Sequence, residues 1–265
     1  MTVIRELRDD DRISARDRAG LGRRAWQDNE PVELRTNSKY PLLVDPDHKD
    51  AAEQFGILRT RLLNARAKSG LCSVLVTSAQ KQEGKSLVCM NLAISLAQLG
   101  RDRILVVDGD LRMKGITSLL GLHQSAGLGD FLQARAPFDA CIRQTTLPHL
   151  YISGAGDIAE ESVPSALEGP RWVEFLDLAK RDFDLIVIDS VPVTAPIADF
   201  ELLLGGCDSA LLVVQLRKAK WDALEIASAR LNGKLLGVAI NNSEPSAGYE
   251  DYSYSRGKQK PAAKT

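Results

Sequence analysis

The sequence contains no apolar run approaching the roughly 20 residues needed to span a bilayer. Its first residues do not make a secretory signal either, being rich in charge at Arg5, Glu6, Arg8, Asp9, Asp10, Asp11 and Arg12. A cytoplasmic location is therefore expected. Cys72, Cys89, Cys141 and Cys207 lie far apart without a CxxC pair, so they read as buried, reduced thiols. His48, His123 and His149 are as scattered, which leaves no visible metal cluster. Neither sign of charge prevails: 34 Lys and Arg against 35 Asp and Glu give a net charge of −1. That balance excludes a global attraction to nucleic acid or to an anionic membrane, and any such contact would need a local patch.

What is present suits one sizeable α/β domain with tails: 265 residues, 44% apolar and 26% charged. Residues 1–48 mix charges with little apolar periodicity and carry Pro31, Pro41 and Pro46, which predicts a mostly irregular extension. From Asp50 the spacing of Phe55, Leu58 and Leu62 predicts a helix ended by Gly70. Short strands rich in Val, Ile and Leu are predicted at Ser73–Thr77, Ile104–Val107, Leu150–Ser153, Leu185–Ile188, Ala210–Val214 and Leu236–Ile240. Helices are predicted at Lys85–Leu99, Pro164–Arg181, Ala195–Leu204 and Trp221–Asn232. Such alternation argues for an α/β fold, a mostly parallel central sheet with helices on both faces and right-handed crossovers. The domain is expected over 49–242, followed at 243–265 by a flexible polar tail ending in Arg256, Lys258, Lys260 and Lys264.

The strongest local signal is Thr77-Ser78-Ala79-Gln80-Lys81-Gln82-Glu83-Gly84-Lys85-Ser86, between an apolar strand and a helix. That context is what a phosphate-binding P-loop requires. Backbone N–H groups over Gln82, Glu83, Gly84, Lys85, Ser86 and Leu87, with the helix N-terminus, form an anion cradle. Lys85 can then reach the β- and γ-phosphates, and the Ser86 hydroxyl can bind Mg²⁺. Ala79 stands where the GxxxxGK[ST] pattern has its first glycine. Taken alone, the motif also reads as a strand–helix turn that happens to end in Gly-Lys-Ser.

Two further strands end in carboxylates. Ile104–Val107 leads into Asp108-Gly109-Asp110-Leu111-Arg112, and Leu185–Ile188 into Asp189-Ser190-Val191-Pro192. Ligands of open α/β sheets bind beyond the carboxyl ends of the strands, so Asp108 and Asp189 are expected beside the phosphate loop. Hard oxygen ligands there suit Mg²⁺. A carboxylate near the γ-phosphate can also accept the proton of an attacking hydroxyl. Either aspartate alone reads sooner as a capping or turn residue; three such motifs in order reverse that and point to a nucleotide site.

Together these residues resemble the bacterial tyrosine autokinases of exopolysaccharide export, P-loop NTPases related to the MinD/ParA group. Asp108, Asp110 and Arg112 look like that family's Asp-x-Asp-x-Arg motif, Glu83-Gly84-Lys85-Ser86 its loop ending, and Asp189-Ser190-Val191-Pro192 its Asp-[Ser/Thr]-x-Pro motif. The likeness runs from about Ala51 to Tyr254 and includes Gly127-Leu128-Gly129-Asp130-Phe131-Leu132. It implies ATP and Mg²⁺ as cofactors, with catalytic roles for Lys85, Asp108, Asp110 and Asp189. Ser86, Asp110 and Asp189 would act around the metal, and Asp108 would be base or orienter for a tyrosine hydroxyl. Arg112 would either steady the phosphates or sit in a salt bridge, and Asn241 or Asn242 would either read the base edge or end the strand. Tyr249, Tyr252 and Tyr254 are three of the five tyrosines and match the family's C-terminal phosphoacceptor cluster. A transmembrane polysaccharide co-polymerase-type activator would dock on the kinase, making membrane association indirect and peripheral. The basic tail would either touch an anionic leaflet or only solubilise the chain.

The departures are equally specific. Lys81-Gln82 stand where the family has Pro-Gly, which puts a side chain into a turn that favours glycine. The family's ring-forming Glu-x-x-Arg-x-x-Arg appears as Glu53, Gly56 and Arg59, so Gly56 would weaken self-association into a ring or dimer. Those changes keep open a catalytically weak nucleotide-binding scaffold. A MinD/ParA-like positioning ATPase is disfavoured, because its signature lysine position holds Gln80.

Overall fold

The computed structural model describes residues 30–35, 42–44, 49–231 and 233–242. In chain order the elements are α1 (Lys49–Ser69), β1 (Ser73–Ser78), α2 (Lys85–Ala97), β2 (Ile104–Asp108), α3 (Gly115–Leu120), α4 (Leu128–Leu132), β3 (Arg143–Gln144) and β4 (Leu150–Ser153). After these come α5 (Val163–Glu168), α6 (Arg171–Asp182), β5 (Leu185–Asp189), α7 (Asp199–Gly206), β6 (Ser209–Gln215), α8 (Trp221–Arg230) and β7 (Leu235–Asn241).

Seven strands form one sheet in the order β3-β4-β2-β5-β1-β6-β7. All pairings are parallel except β3 with β4. Strand residues alternate between two cores, which explains their near-continuous apolar character. Leu75, Leu105, Val107, Ile186 and Ile188 meet α4 to α8, around Phe131, Trp172, Phe175 and Leu203. Val74, Val76, Ile104, Val106 and Val187 meet α1 to α3, around Leu62, Leu92 and Ile116. The chain leaves β1 to reach β2 beyond β5, and leaves β5 to reach β6 beyond β1. The neighbouring strands β1 and β5 thus send their connections in opposite directions, the arrangement beside which open α/β sheets bind ligands.

Two expected elements change. The helix predicted over Pro164–Arg181 is split into α5 and α6 at Gly169-Pro170, where Gly169 is extended at ψ 165°. Pro170 has no amide to donate and disfavours helical dihedrals in the residue before it. The helix expected from Ala195 begins only at Asp199, because the preceding segment runs along β1. There Ser190 N donates to Val76 O (3.1 Å), Val193 N to Ser78 O (2.8 Å), and Thr77 Oγ1 to Val191 O (2.8 Å).

The described parts of the N-terminal extension contain neither a helix nor a full strand, yet they are built into the core. Val32 bridges Thr145 at the β3 edge, and Val32, Leu34, Leu42 and Leu43 are buried. Leu43 N donates to Asn91 Oδ1 of α2 at 2.9 Å, and Gln98 Nε2 donates to Leu43 O at 2.9 Å. These side chains lie N-terminal to the boundary expected at 48. Leu42→Ala should cost about 2–5 kcal/mol, the usual range for emptying a closed core position. Urea unfolding midpoints check this, and a loss below about 1 kcal/mol would mean that the strap is dispensable.

Candidate nucleotide site

The phosphate loop joins β1 to α2 and is shaped by a left-handed turn. Gly84, the residue before α2, has φ 87°, and a Cβ there would lie 2.2 Å from Asn241 Nδ2. Gln82 also adopts a positive φ, 61°, in the place where the sequence lacks the expected glycine. An L-residue in that region costs about 1–2 kcal/mol, so neighbours must hold it. Lys218 Nζ donates to Gln82 O at 2.8 Å. Glu83 is buried beneath the loop: Oε2 accepts from Gln80 N at 2.6 Å and Oε1 from Gln215 N at 3.2 Å. Asn241 Nδ2 donates to Glu83 O at 2.8 Å. The amides of Lys85, Ser86 and Leu87 open the helix and have no intrahelical partner, as an anion cradle requires.

Asp108 and Asp189, at the ends of β2 and β5, and Asp110 just beyond β2 come together beside the loop. The parallel register pairs Asp108 of β2 with Asp189 of β5, and Asp189 with Val76 of β1. Lys85 Nζ lies 3.0 Å from Asp110 Oδ2 and 3.4 Å from Asp189. Ser86 Oγ donates to Asp189 Oδ2 at 2.5 Å. Asp110 Oδ1 accepts from Met113 N at 3.1 Å. Asp108 Oδ2 accepts from Thr117 N (2.8 Å) and Thr117 Oγ1 (2.7 Å), while its Oδ1 is buried without a hydrogen-bond partner.

Three buried carboxylates thus face one ammonium. Burial alone would lower the pKa of Lys85, but Asp189, Asp110 and Asp108 outweigh it and hold the ammonium well above its ordinary range. Burial first, and then the Asp189 charge, push Asp108 up to about 7, against the opposing Thr117 bonds. Burial also raises Asp189, although Lys85 and Ser86 pull the other way. The surplus of hard, negatively charged oxygen, with an orphaned Asp108 oxygen, fits a divalent cation such as Mg²⁺.

The raised Asp108 has a stability consequence. Between its ordinary 3.8 and about 7 the folded chain binds a proton that the unfolded chain has released. Its contribution is complete below the lower value and lost as pH rises through the upper one. Urea midpoints of the nucleotide-free protein should therefore fall between pH 5 and about 8, and Asp108→Asn should flatten that slope. An unchanged slope in the variant would contradict the assignment.

Two glycines set the site's dimensions. A Cβ at Gly109 would lie 2.6 Å from Asp189 O, and one at Gly115 would lie 2.5 Å from Ser86 Oγ and 3.3 Å from Asp189 Oδ2. Gly115, Thr117 and the buried role of Glu83 are not visible in the sequence. Gly109, set between two aspartates, is the one signal that could have been read. Two expected ligands are engaged elsewhere. Arg112 Nε donates to Asp199 Oδ2 at 2.7 Å, and Asn241 Nδ2 donates to the loop carbonyl of Glu83. On α1, Arg59 donates to Ser95 O at 2.8 Å, and a Cβ at Gly56 would lie 3.8 Å from the Arg59 guanidinium, an ordinary contact. Tyr249, Tyr252 and Tyr254 lie outside the described residues.

No family model matches the chain. Among curated relatives, tyrosine-protein kinase CpsD of Streptococcus agalactiae serotype Ia is 30% identical over 211 residues, covering 77% of this chain and 88% of that protein. Tyrosine-protein kinase YwqD of Bacillus subtilis is 29% identical over 207 residues, covering 77% and 85%. Among solved structures, the kinase domain of VpsO superposes with a TM-score of 0.65 at 26% identity, over 75% of this chain and 98% of that domain. Motifs and relatives agree: this chain belongs to the bacterial tyrosine-protein kinase family.

Proposed function

We propose that this chain is an ATP-dependent tyrosine autokinase that regulates polymerisation and export of an exopolysaccharide or capsule. The observation that carries the reading is the convergence of Lys85, Ser86, Asp108, Asp110 and Asp189 at the adjacent ends of β1, β2 and β5. ATP as substrate would lay its β- and γ-phosphates against the loop amides and Lys85. Mg²⁺, held by Ser86 with Asp110 and Asp189 directly or through water, would neutralise phosphate charge.

Lys85 must then exchange part of its carboxylate contact for phosphate oxygen, which its position between Asp110 and Asp189 allows. The tyrosine oxygen bonds to the γ-phosphorus, the bond to the ADP oxygen breaks, and the phenolic proton leaves. Of the six oxygens on the three carboxylates, Asp108 Oδ1 is the one without a partner in the described residues. With a pKa near 7, Asp108 suits that proton, taken directly or through one water. Tyr249, Tyr252 and Tyr254 are the acceptors, on a neighbouring copy.

Among the described residues no helix is long and apolar enough to cross a membrane. Membrane association would come through a transmembrane activator of the co-polymerase type. Radiolabel from γ-labelled ATP, with membranes of the source cell added, tests the reading. Changing the three tyrosines to Phe should remove the label. Full labelling of that variant would move the acceptor elsewhere and sink this assignment.

A further inference from the structure

The β7 edge of the sheet carries an apolar stripe that the kinase site does not use. The pairing of β6 with β7 has a bulge after Ala210, which aligns Leu235 with Ala210, Val238 with Leu212 and Ile240 with Val214. All three β7 side chains therefore share the face on which α8 lies, yet they are exposed by 40%, 50% and 60%. α8 meets that core through Ala223, Leu224 and Ala227 and still leaves Leu235, Val238 and Ile240 exposed. β7 is terminal in the sheet order, and no charge or proline occurs from Leu235 to Asn241. An apolar edge without such blocking residues invites another strand.

We propose that the occupant is the chain's own segment Glu250–Tyr254, added antiparallel to β7 as an eighth strand while its tyrosines are unphosphorylated. Three observations single it out. The segment follows β7 directly in the sequence, and Asn242 has φ 55°, a left-handed turn residue at the strand end. The connection over 243–249 is longer than a tight hairpin turn and contains Pro245 and Gly248, residues that favour a change of chain direction. Tyr252 and Tyr254 alternate, so one register sets Tyr252 beside Ile240 and Tyr254 beside Val238 on the exposed face. Aromatic rings opposite β-branched side chains are favourable cross-strand pairs. The proposal gives the acceptor tyrosines a resting place away from the phosphate loop. Phosphorylation would release them, because a phosphate cannot keep its water on an apolar strand face. That last step rests on the kinase reading; the docking itself does not.

Hydrogen exchange on the full-length Lys85→Ala chain, which keeps the tail unmodified, is the test. The amides of β7 should exchange roughly tenfold more slowly than in the same chain ended after Asn242. The protection should also vanish in Val238→Lys and in Tyr252→Ser/Tyr254→Ser. Exchange of β1 and β5 in the same experiment reports whether each variant is folded. If Val238→Lys disturbs them, the tyrosine pair, which alters no residue of the sheet, decides. Equal β7 exchange with and without the tail would overturn the proposal. So would protection that disappears on dilution together with a dimer in light scattering, since the occupant would then be a second copy. Wild-type chain labelled on tyrosine should exchange like the truncated one. If no label forms at all, the kinase reading fails while the Lys85→Ala comparison still judges the docking.

Discussion

Lys85→Ala should reduce transfer of the γ-phosphoryl group by at least about 10²–10³-fold, the range found when one preorganised charge on a developing anion is removed. The argument begins with position. Lys85 opens α2 with its ammonium 3.0 Å from Asp110 and 3.4 Å from Asp189, and its side chain is 12% exposed. Phosphate oxygens arriving at the loop meet this ammonium directly among three buried carboxylates, whereas Lys218 is held at the Gln82 carbonyl and Arg112 by Asp199. The same variant should lose stability without nucleotide, because removing one partner of a buried pair leaves charge uncompensated. Asp108 and Asp189, already raised by burial, can take up protons in response. The stability deficit should therefore be largest near pH 8 and shrink toward pH 5. Label transfer and urea midpoints at both pH values measure the two effects. Transfer within tenfold of wild type would remove Lys85 from the reaction, and a deficit independent of pH would mean that the carboxylates are not its partners.

Gly115→Ala should weaken binding of Mg²⁺-nucleotide by roughly 10–100-fold, the usual loss when the shell that orients metal ligands is disturbed. The added methyl would lie 2.5 Å from Ser86 Oγ, which must turn away, and 3.3 Å from Asp189 Oδ2. The obstructing atom is a side-chain hydroxyl and α3 tolerates alanine, so the fold should survive with little change. Titration with fluorescent ADP, with and without Mg²⁺, separates the outcomes. A selective loss of the Mg²⁺-dependent part is expected. Equal weakening under both conditions would place the damage in the phosphate loop instead.

The sequence by itself determined the architecture and the set of groups that meet at the strand ends. Continuous apolar strands alternating with helices admit few arrangements other than a covered parallel sheet, because buried backbone must be paired and crossovers are right-handed. Gly84-Lys85-Ser86, Asp108-Gly109-Asp110 and Asp189 are short, local motifs, and strand ends bring such motifs to one edge wherever the strands neighbour each other. The tertiary structure decided what those groups do with one another. The order β2-β5-β1 puts Asp189 between the other two motifs, and that order depends on long-range pairing that periodicity cannot encode. Arg112 finds Asp199 across 87 residues, a pairing no local pattern announces. Asn241 reaches Glu83 across 158 residues to brace the loop. The buried strap was hidden for a related reason. Leu42 and Leu43 form no periodic pattern, and only the groove beside Asn91 and Gln98 gives two consecutive leucines a place in the core. Local patterns are written in neighbouring residues, whereas burial and charge pairing depend on which distant surfaces meet.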